Sequence, residues 1–312
     1  CPTSVLGNWQ KELERFAPSL KVGLYYGSQR PKQEAFKTFA NAHDVVLTSY
    51  GMTHIDQEEV GSLYWNSIII DEAQNIKNAA TKQSRSVRKL RGRHHVALTG
   101  TPMENRLSEL WAIFDFINKG YLGSLKAFQD RFVTSIEKDG ETAKIKELQN
   151  IIQPFLLRRT KKDKDVALNL PDKVEQKEFV PLTSEQASLY EQQIKDTFSK
   201  METMDAFQRK GMILQMIGKL KQLCNHPALF LKEEKIHNAQ LRSGKLVKLL
   251  ELVGAVMEQG ESCLIFTQYI GMGELIQSLL KEEYGHDVPF LNGKLGKKQR
   301  DTMIEDFQNG KH

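Results

Sequence analysis

The stretch "NSIIIDEAQNIKN", residues 66–78, decides how this chain is read. Three consecutive isoleucines, Ile68 to Ile70, run straight into two adjacent carboxylates, Asp71 and Glu72. A strand covered on both faces loses its hydrophobic alternation, so a short β-branched run bounded by polar residues predicts a buried parallel strand. In open α/β sheets ligands sit beyond the carboxyl ends of such strands. The two acids fall at that end.

Working outward, "DVVLTSYG" (44–51) and "HHVALTGTP" (94–102) repeat the pattern. Between the second and third runs, "NAATKQSRSVRKLRG" (78–92) predicts a crossover helix ending at Gly92. Strand, helix, strand makes a βαβ unit. The polar tips Thr48–Ser49, Asp71–Glu72 and Thr99–Gly100–Thr101 are then expected side by side along one edge.

Helices follow. In "TPMENRLSELWAIFDFI" (101–117), Thr101 reads as the cap, Pro102 as the first helical residue and Glu104 as its reciprocal partner. Leu107, Leu110, Trp111, Phe114 and Ile117 form one apolar stripe, which makes Trp111 a core residue. "LTSEQASLYEQQIKDTF" (182–198) repeats the device with Thr183 and Gln186, and its stripe is Ala187, Tyr190, Ile194 and Phe198. "GMILQMIGKLKQLCNHP" (211–227) stripes through Ile213, Met216, Ile217, Leu220 and Leu223. Alternation then resumes, with strands expected in "SCLIFTQY" (262–269) and "VPFLNGKL" (288–295) among three helices. That is the start of a second α/β lobe with too few strands for a full sheet.

Composition sets the bounds. At 312 residues and 40% hydrophobic content the chain can bury two cores. No apolar run approaches the ~18 residues that span a bilayer, so no membrane partner is expected. Cys1, Cys224 and Cys263 form no CxxC pair, and His226 has no partner at ligand spacing. Both facts argue against zinc, and the cysteine usage argues for reduced thiols in an intracellular protein. A net charge of +5 permits a polyanionic partner without requiring one. The opening Cys1 and the closing "FQNGKH" suggest a piece of a longer protein.

Paired acids at a strand tip suit a nucleotide triphosphatase. One can hold Mg²⁺, largely through water, and its neighbour can orient or deprotonate the water that attacks the terminal phosphate. The same residues also serve as ordinary turns, and the companion "ALTGTP" tips the balance. Its small hydroxyl residues can reach Gln74 and relay the state of the phosphate.

With these motifs in view, "DEAQ" followed by "LTGTPMENRLSELW" resembles motifs II and III of the Swi/Snf-type ATPase family of helicase superfamily two. "CPTSVLGNWQKEL" resembles motif Ia, "VVLTSYGM" motif Ic and "CLIFTQY" motif IV, while "FLNGKLGKKQRDTMIEDFQ" resembles the segment after it. "FLLRRTKKD" through "NLPDK" resembles the inter-lobe linker and "LKQLCNHPALF" the helical insertion.

The resemblance implies an α/β fold of two RecA-like lobes with parallel sheets and helical insertions, both lobes truncated. Its parts are a first lobe over 1–154 with a helical protrusion near 103–150, a linker over 155–182, a helical insertion over 183–242 and the start of lobe two over 243–312. It also implies a monomeric motor that uses ATP and Mg²⁺ to translocate on double-stranded DNA, with a DNA-bound protein complex as one candidate client. Asp71 would hold Mg²⁺ and Glu72 would activate water. Gln74, Thr99 and Thr101 would couple the nucleotide to DNA. Thr3, Thr48 and Ser49 would touch phosphates from the first lobe, and Thr267, Gln268, Asn292 and Lys294 from the second.

Two departures shape the expectation. No GxxxxGK[ST] occurs in the 312 residues: "SGKL" (243–246) has Ala239 for the first glycine and Leu246 for the hydroxyl residue, and "LGKKQ" (295–299) has Leu291 for that glycine and no hydroxyl after the lysine. In the family that cradle lies upstream of motif Ia, and the arginine-bearing motifs V and VI lie beyond motif IV. This chain by itself is therefore expected to hydrolyse ATP negligibly. The alternative is a non-catalytic DNA- or protein-binding module derived from such a motor. A DEAD-type RNA helicase is disfavoured by Gln74 and by the helical insertion. Trp9 reads as packing, and Arg158 and Arg159 as a fixed ion-pairing site beside Lys161 and Lys162.

Overall fold

The computed structural model describes residues 1–161, 163, 171, 173–202, 204–234 and 236–311. They fall into two compact units, residues 1–169 and residues 170–312.

The first unit carries four strands: β1 (Val22–Tyr25), β2 (Val45–Thr48), β3 (Tyr64–Ile70) and β4 (Arg91–Ala97). They form two parallel pairs, β1 with β2 and β3 with β4, the latter in a register that sets Ile70 opposite Ala97. The βαβ unit is present. Its crossover helix is shorter than expected, Lys82–Arg88, and Gly92 lies inside β4 rather than at the helix end. A Cβ on Gly92 would meet the Ile68 side chain and the Trp65 carbonyl at 3.1 Å, so the absence of a side chain lets β3 and β4 pack closely there.

Two expectations need correction. The β2 tip belongs to a different sheet from the β3 tip, because β2 pairs with β1, a strand whose sequence "VGLY" gave too short a pattern to predict. And β3 is covered on one face only. Ile68 and Ile70 are buried, whereas Ile69 is 57% exposed. The covered face packs on Tyr50, Val87, Ile113 and Phe116. A triple isoleucine does not reveal whether one face or two will be covered.

Helix Leu107–Ile117 carries the predicted stripe, with Leu107, Leu110, Trp111 and Phe114 all buried. Ala112, Ile113 and Phe116 are buried as well, because the helix lies between two cores. The Trp111 indole donates to the Gly123 carbonyl at 3.1 Å, consistent with a core residue. The start differs from the sequence reading: residues 101–106 are irregular and Thr101 caps nothing. The first helical amide, Leu107 N–H, instead donates to Glu137 at 2.6 Å.

In the second unit the helices are Ser184–Met201, Ala206–Asn225, Pro227–Leu231, Gly244–Glu258, Ile270–Tyr284 and Lys297–Gln308. The Thr183–Gln186 capping box forms as read. The stripe of that helix does not: Phe198 is 55% exposed, while Gln186 and Thr197 are buried. Gln186 turns inward because its amide also donates to the Leu223 carbonyl at 2.8 Å, joining this helix to the next. His226 is fully buried, its Nδ1 accepting from Ala228 N–H and its Nε2 donating to the Ala239 carbonyl. Both ring nitrogens are thus spent on backbone. The core gathers Leu246, Leu250, Val253, Leu275, Ile276 and Leu279.

The strands expected over 262–269 and 288–295 do not form; among the described residues of this unit none lies in a strand. A strand exists through its neighbours' hydrogen bonds, and here no ladder partner is present. Leu264 is 67% and Phe266 89% exposed accordingly. Of the basic group read in the connector, Lys162 lies outside the described residues. Arg158 and Arg159 are exposed, and Arg158 helps to hold the Asp163 carboxyl below its ordinary value, behind the hydrogen bonds from Thr160.

Candidate functional site

β3 ends at Ile70, and the chain turns at once into a short 3-10 turn, Ala73–Ile76. Asp71 is tied down at three atoms. Its Oδ2 accepts from the Trp9 indole N–H at 2.8 Å and its Oδ1 from the Glu72 N–H at 2.8 Å, while its carbonyl accepts from the Tyr50 hydroxyl at 2.6 Å. Burial, with the charges of Asp71 and Glu72 behind it, pushes the Tyr50 hydroxyl well above its ordinary range, so it remains a donor.

Glu72 sits at φ 53°, ψ 53°, the left-handed region, which costs a residue with a Cβ roughly 1–2 kcal/mol. Such a conformation persists only where its surroundings impose it. Here Ala73 N–H donates to Leu98 O, and both the Asn75 N–H and its side-chain amide donate to the Glu72 carbonyl, all at 2.9 Å.

From Glu72 a line of hydrogen bonds leaves for β4. Gln74 Nε2 donates to Glu72 Oε2 at 2.5 Å, Thr99 Oγ1 donates to Gln74 Oε1 at 2.8 Å, and Thr101 N–H donates to Thr99 Oγ1 at 3.1 Å. The structure therefore brings Asp71, Glu72, Gln74, Thr99 and Thr101 into one connected cluster.

The other predicted residues stand apart from it. Thr48 Oγ1 donates to the Tyr25 carbonyl at 2.9 Å, and buried Ser49 caps helix Tyr50–Ile55 by accepting from Met52 N–H at 3.2 Å. Thr3 is exposed and starts a 3-10 turn beside them, because Tyr50 N–H donates to the Cys1 carbonyl at 3.2 Å. In the second unit Gln268 is exposed and lines a cavity of about 440 Å³ with Lys221, Lys245 and Tyr269. Thr267 Oγ1 accepts from Tyr269 N–H at 3.5 Å, and Asn292 Oδ1 from Lys294 N–H at 2.9 Å, leaving the Lys294 side chain exposed.

Sequence reasoning missed Trp9 and Tyr50 as holders of Asp71. Trp9 was read as packing, yet its neighbourhood in the motif Ia-like "NWQKE" was the available signal. It also missed Lys77, Glu104 and Glu109, which hold the loop after β4.

The donor chemistry fits a hard divalent cation. Each Asp71 oxygen accepts one hydrogen bond and so retains a lone pair. Two acids alone make a sparse set, and no group of three or more metal-ligating side chains occurs among the described residues. That pattern suits Mg²⁺, which keeps much of its water and shares its remaining ligands with phosphate oxygens.

With this geometry established, comparison with known proteins assigns the family. Residues 1–229 match the SNF2-related domain and residues 244–312 the helicase conserved C-terminal domain. The chain belongs to the SNF2-related family, as the ordered motifs implied. It is 61% identical over 307 residues to the putative ATP-dependent helicase/translocase YwqA of Bacillus subtilis (strain 168), covering 98% of this chain and 33% of that relative. It is 30% identical over 310 residues to the human DNA excision repair protein ERCC-6, covering 91% of this chain and 20% of that one. Among solved structures it resembles the Sulfolobus solfataricus SWI2/SNF2 ATPase core in complex with dsDNA, with a TM-score of 0.51 and 40% identity over 99% of this chain and 64% of that one. This likeness bears out the α/β reading with RecA-like lobes. The chain spans about a third of the length of its Bacillus relative, at 33%.

Proposed function

We propose that this chain is the central part of an ATP-driven translocase on double-stranded DNA. The observation that carries the reading is the continuous line of hydrogen bonds from Glu72 through Gln74 and Thr99 to Thr101. It supports a physical link between the carboxylate proposed to activate water and an exposed loop. The likeness to a SWI2/SNF2 core solved with dsDNA supports duplex DNA as the partner.

Asp71, immobilised by Trp9, Tyr50 and the Glu72 amide, would hold Mg²⁺ and its water. The bound ion would neutralise charge on the ATP phosphates. Glu72, whose Oε2 is fixed by Gln74, would orient the attacking water and accept its proton. Thr3, Thr48, Thr267, Gln268, Asn292 and Lys294 would contact DNA phosphates, with no base preference. Ser49 would contribute by fixing the turn that presents Thr48. The protein would act as a monomer inside the cell, with a DNA-bound complex as client. Among the described residues no helix is long and apolar enough to cross a membrane.

The test is ATP hydrolysis by the full-length protein with and without duplex DNA, beside a Glu72→Gln variant. Stimulation by DNA that falls about 10²–10⁴-fold in the variant is expected for loss of a general base. The 312-residue chain alone, which carries no GxxxxGK[ST], should turn over negligibly. That same lack is what favours the second reading, a binding module without catalysis. Absence of any hydrolysis in the intact protein would move that reading to the front.

A further inference from the structure

The line of hydrogen bonds from Glu72 does not stop at Thr101. Thr101 Oγ1 donates to Glu104 Oε1 at 3.4 Å, and the other oxygen of Glu104 is ion-paired to Lys77. Lys77 lies at the end of the same short turn as Gln74, and its backbone N–H donates to the Gln74 carbonyl at 3.2 Å. Gln74, Thr99, Thr101, Glu104 and Lys77 thus close a ring, with Glu72 hydrogen-bonded to its first member.

Residues 101–106 have no helix or strand of their own, so side chains do most of the holding, with one backbone bond from Glu109 N–H to the Arg106 carbonyl at 3.0 Å. Glu109 supplies a second anchor, its Oε2 accepting from the amides of Glu104 at 2.8 Å and Asn105 at 3.2 Å. Its Oε1 lies 3.8 Å from Lys77 Nζ. Burial alone would raise the Glu109 carboxyl, yet these amides and Lys77 hold it below its ordinary value, so it stays an acceptor.

We propose that the Lys77–Glu104 pair is the closing link of this ring and sets how strongly DNA binding stimulates hydrolysis. The inference rests on the translocase reading above and concerns the regulation of that site. Lys77 and Glu104 are positioning residues that act through Thr101 and Gln74. With the pair intact, a displacement of the exposed loop is passed to Gln74 and so to Glu72. With it broken, the loop moves without its partner.

The experiment is a double-mutant cycle in the full-length protein with Lys77→Met, Glu104→Gln and the double variant, reading the ratio of turnover with saturating duplex DNA to turnover without. Each single variant should lower that ratio about two- to five-fold, the scale of one partly exposed ion pair. The double variant should be no worse than either single, because both remove one link. KM for ATP and the melting temperature should stay near wild type, a split that a merely structural pair would not show. Losses that multiply in the double variant, or an unchanged ratio in the singles, would overturn the proposal. A wild-type protein that DNA does not stimulate would instead overturn the translocase reading.

Discussion

The two units hold their candidate site residues in different ways. In residues 1–169, Asp71, Glu72, Gln74, Thr99 and Thr101 are cross-linked to one another and to Trp9 and Tyr50. In residues 170–312, Gln268 and Lys294 are exposed, and the side chains of Thr267 and Asn292 accept from amides two residues on. The difference follows from the backbone. Paired strands fix their tips relative to each other, so side chains one residue beyond can be aimed across a gap of a few ångströms. Segments 262–269 and 288–295 have no ladder, and the helices beneath hold them through side-chain packing of Ile265, Tyr269, Val288 and Phe290 and through Gln277 Nε2 donating to Val288 O at 2.5 Å. On the proposed reading, the first arrangement suits rigid placement of a carboxylate that activates water, and the second suits contact with a repeating phosphate backbone.

The contrast is sharpest between Ile70 and Phe266, since both sit in runs that read alike. Ile70→Ala should cost about 2–5 kcal/mol, the range for truncating a buried aliphatic side chain. Tryptophan fluorescence during urea unfolding reports it cleanly, because Trp9, Trp65 and Trp111 all lie in the first unit. A loss under ~1 kcal/mol would remove β3 from the core.

Next in size is Gly273→Ala. An added Cβ there would meet the Phe290 ring at 2.2 Å, so overpacking should cost about 1–3 kcal/mol in the helical unit. Far-UV circular dichroism would follow it, and an unchanged midpoint would mean that Phe290 is free to swing aside.

A pH effect comes third. Burial lowers the His226 pKa from the ordinary 6.5, with Arg242 adding to the shift while its backbone acceptor and the neighbouring Glu185 and Glu233 oppose it. A depressed folded-state value means its stabilising contribution is complete above pH 6.5. It drains away as pH falls from there towards the native value, because the unfolded chain takes the proton first. The melting temperature of wild type should therefore drop more steeply than that of His226→Gln between pH 7 and 5. Parallel curves would show that another group titrates.

The smallest effect belongs to Phe266→Ser. With the ring 89% exposed, stability should move by no more than about 0.5 kcal/mol. A large loss would show the Phe266 ring to be packed after all, and would erase the contrast.

These residues also show what the sequence carried and where it stopped. The βαβ unit, the Thr183 cap and the stripe of helix Leu107–Ile117 were legible because period and capping are local signals. Gln186 turned inward, against the stripe drawn from the same helix, because its partner Leu223 lies 37 residues away. Asp71, Glu72, Gln74, Thr99 and Thr101 were legible through their motifs, and the hydrogen bonds joining them fit that grouping. Trp9 was not: its bond to Asp71 spans 62 residues and leaves no trace in spacing. The unpaired 262–269 segment was misread because an apolar run announces a strand without announcing its neighbour.

Glu72 stands where backbone and chemistry favour different residues. At φ 53° the chain would be most comfortable with glycine or asparagine, and only the carboxylate argues for glutamate. Folding alone favours its replacement, so under the proposed role in water activation a glutamate at residue 72 would be kept only by use. Lineages in which this site has fallen idle should drift first here, towards a small or amide side chain, well before the buried Ile70 beside it changes. A survey of descendants could therefore date the loss of activity from a single codon.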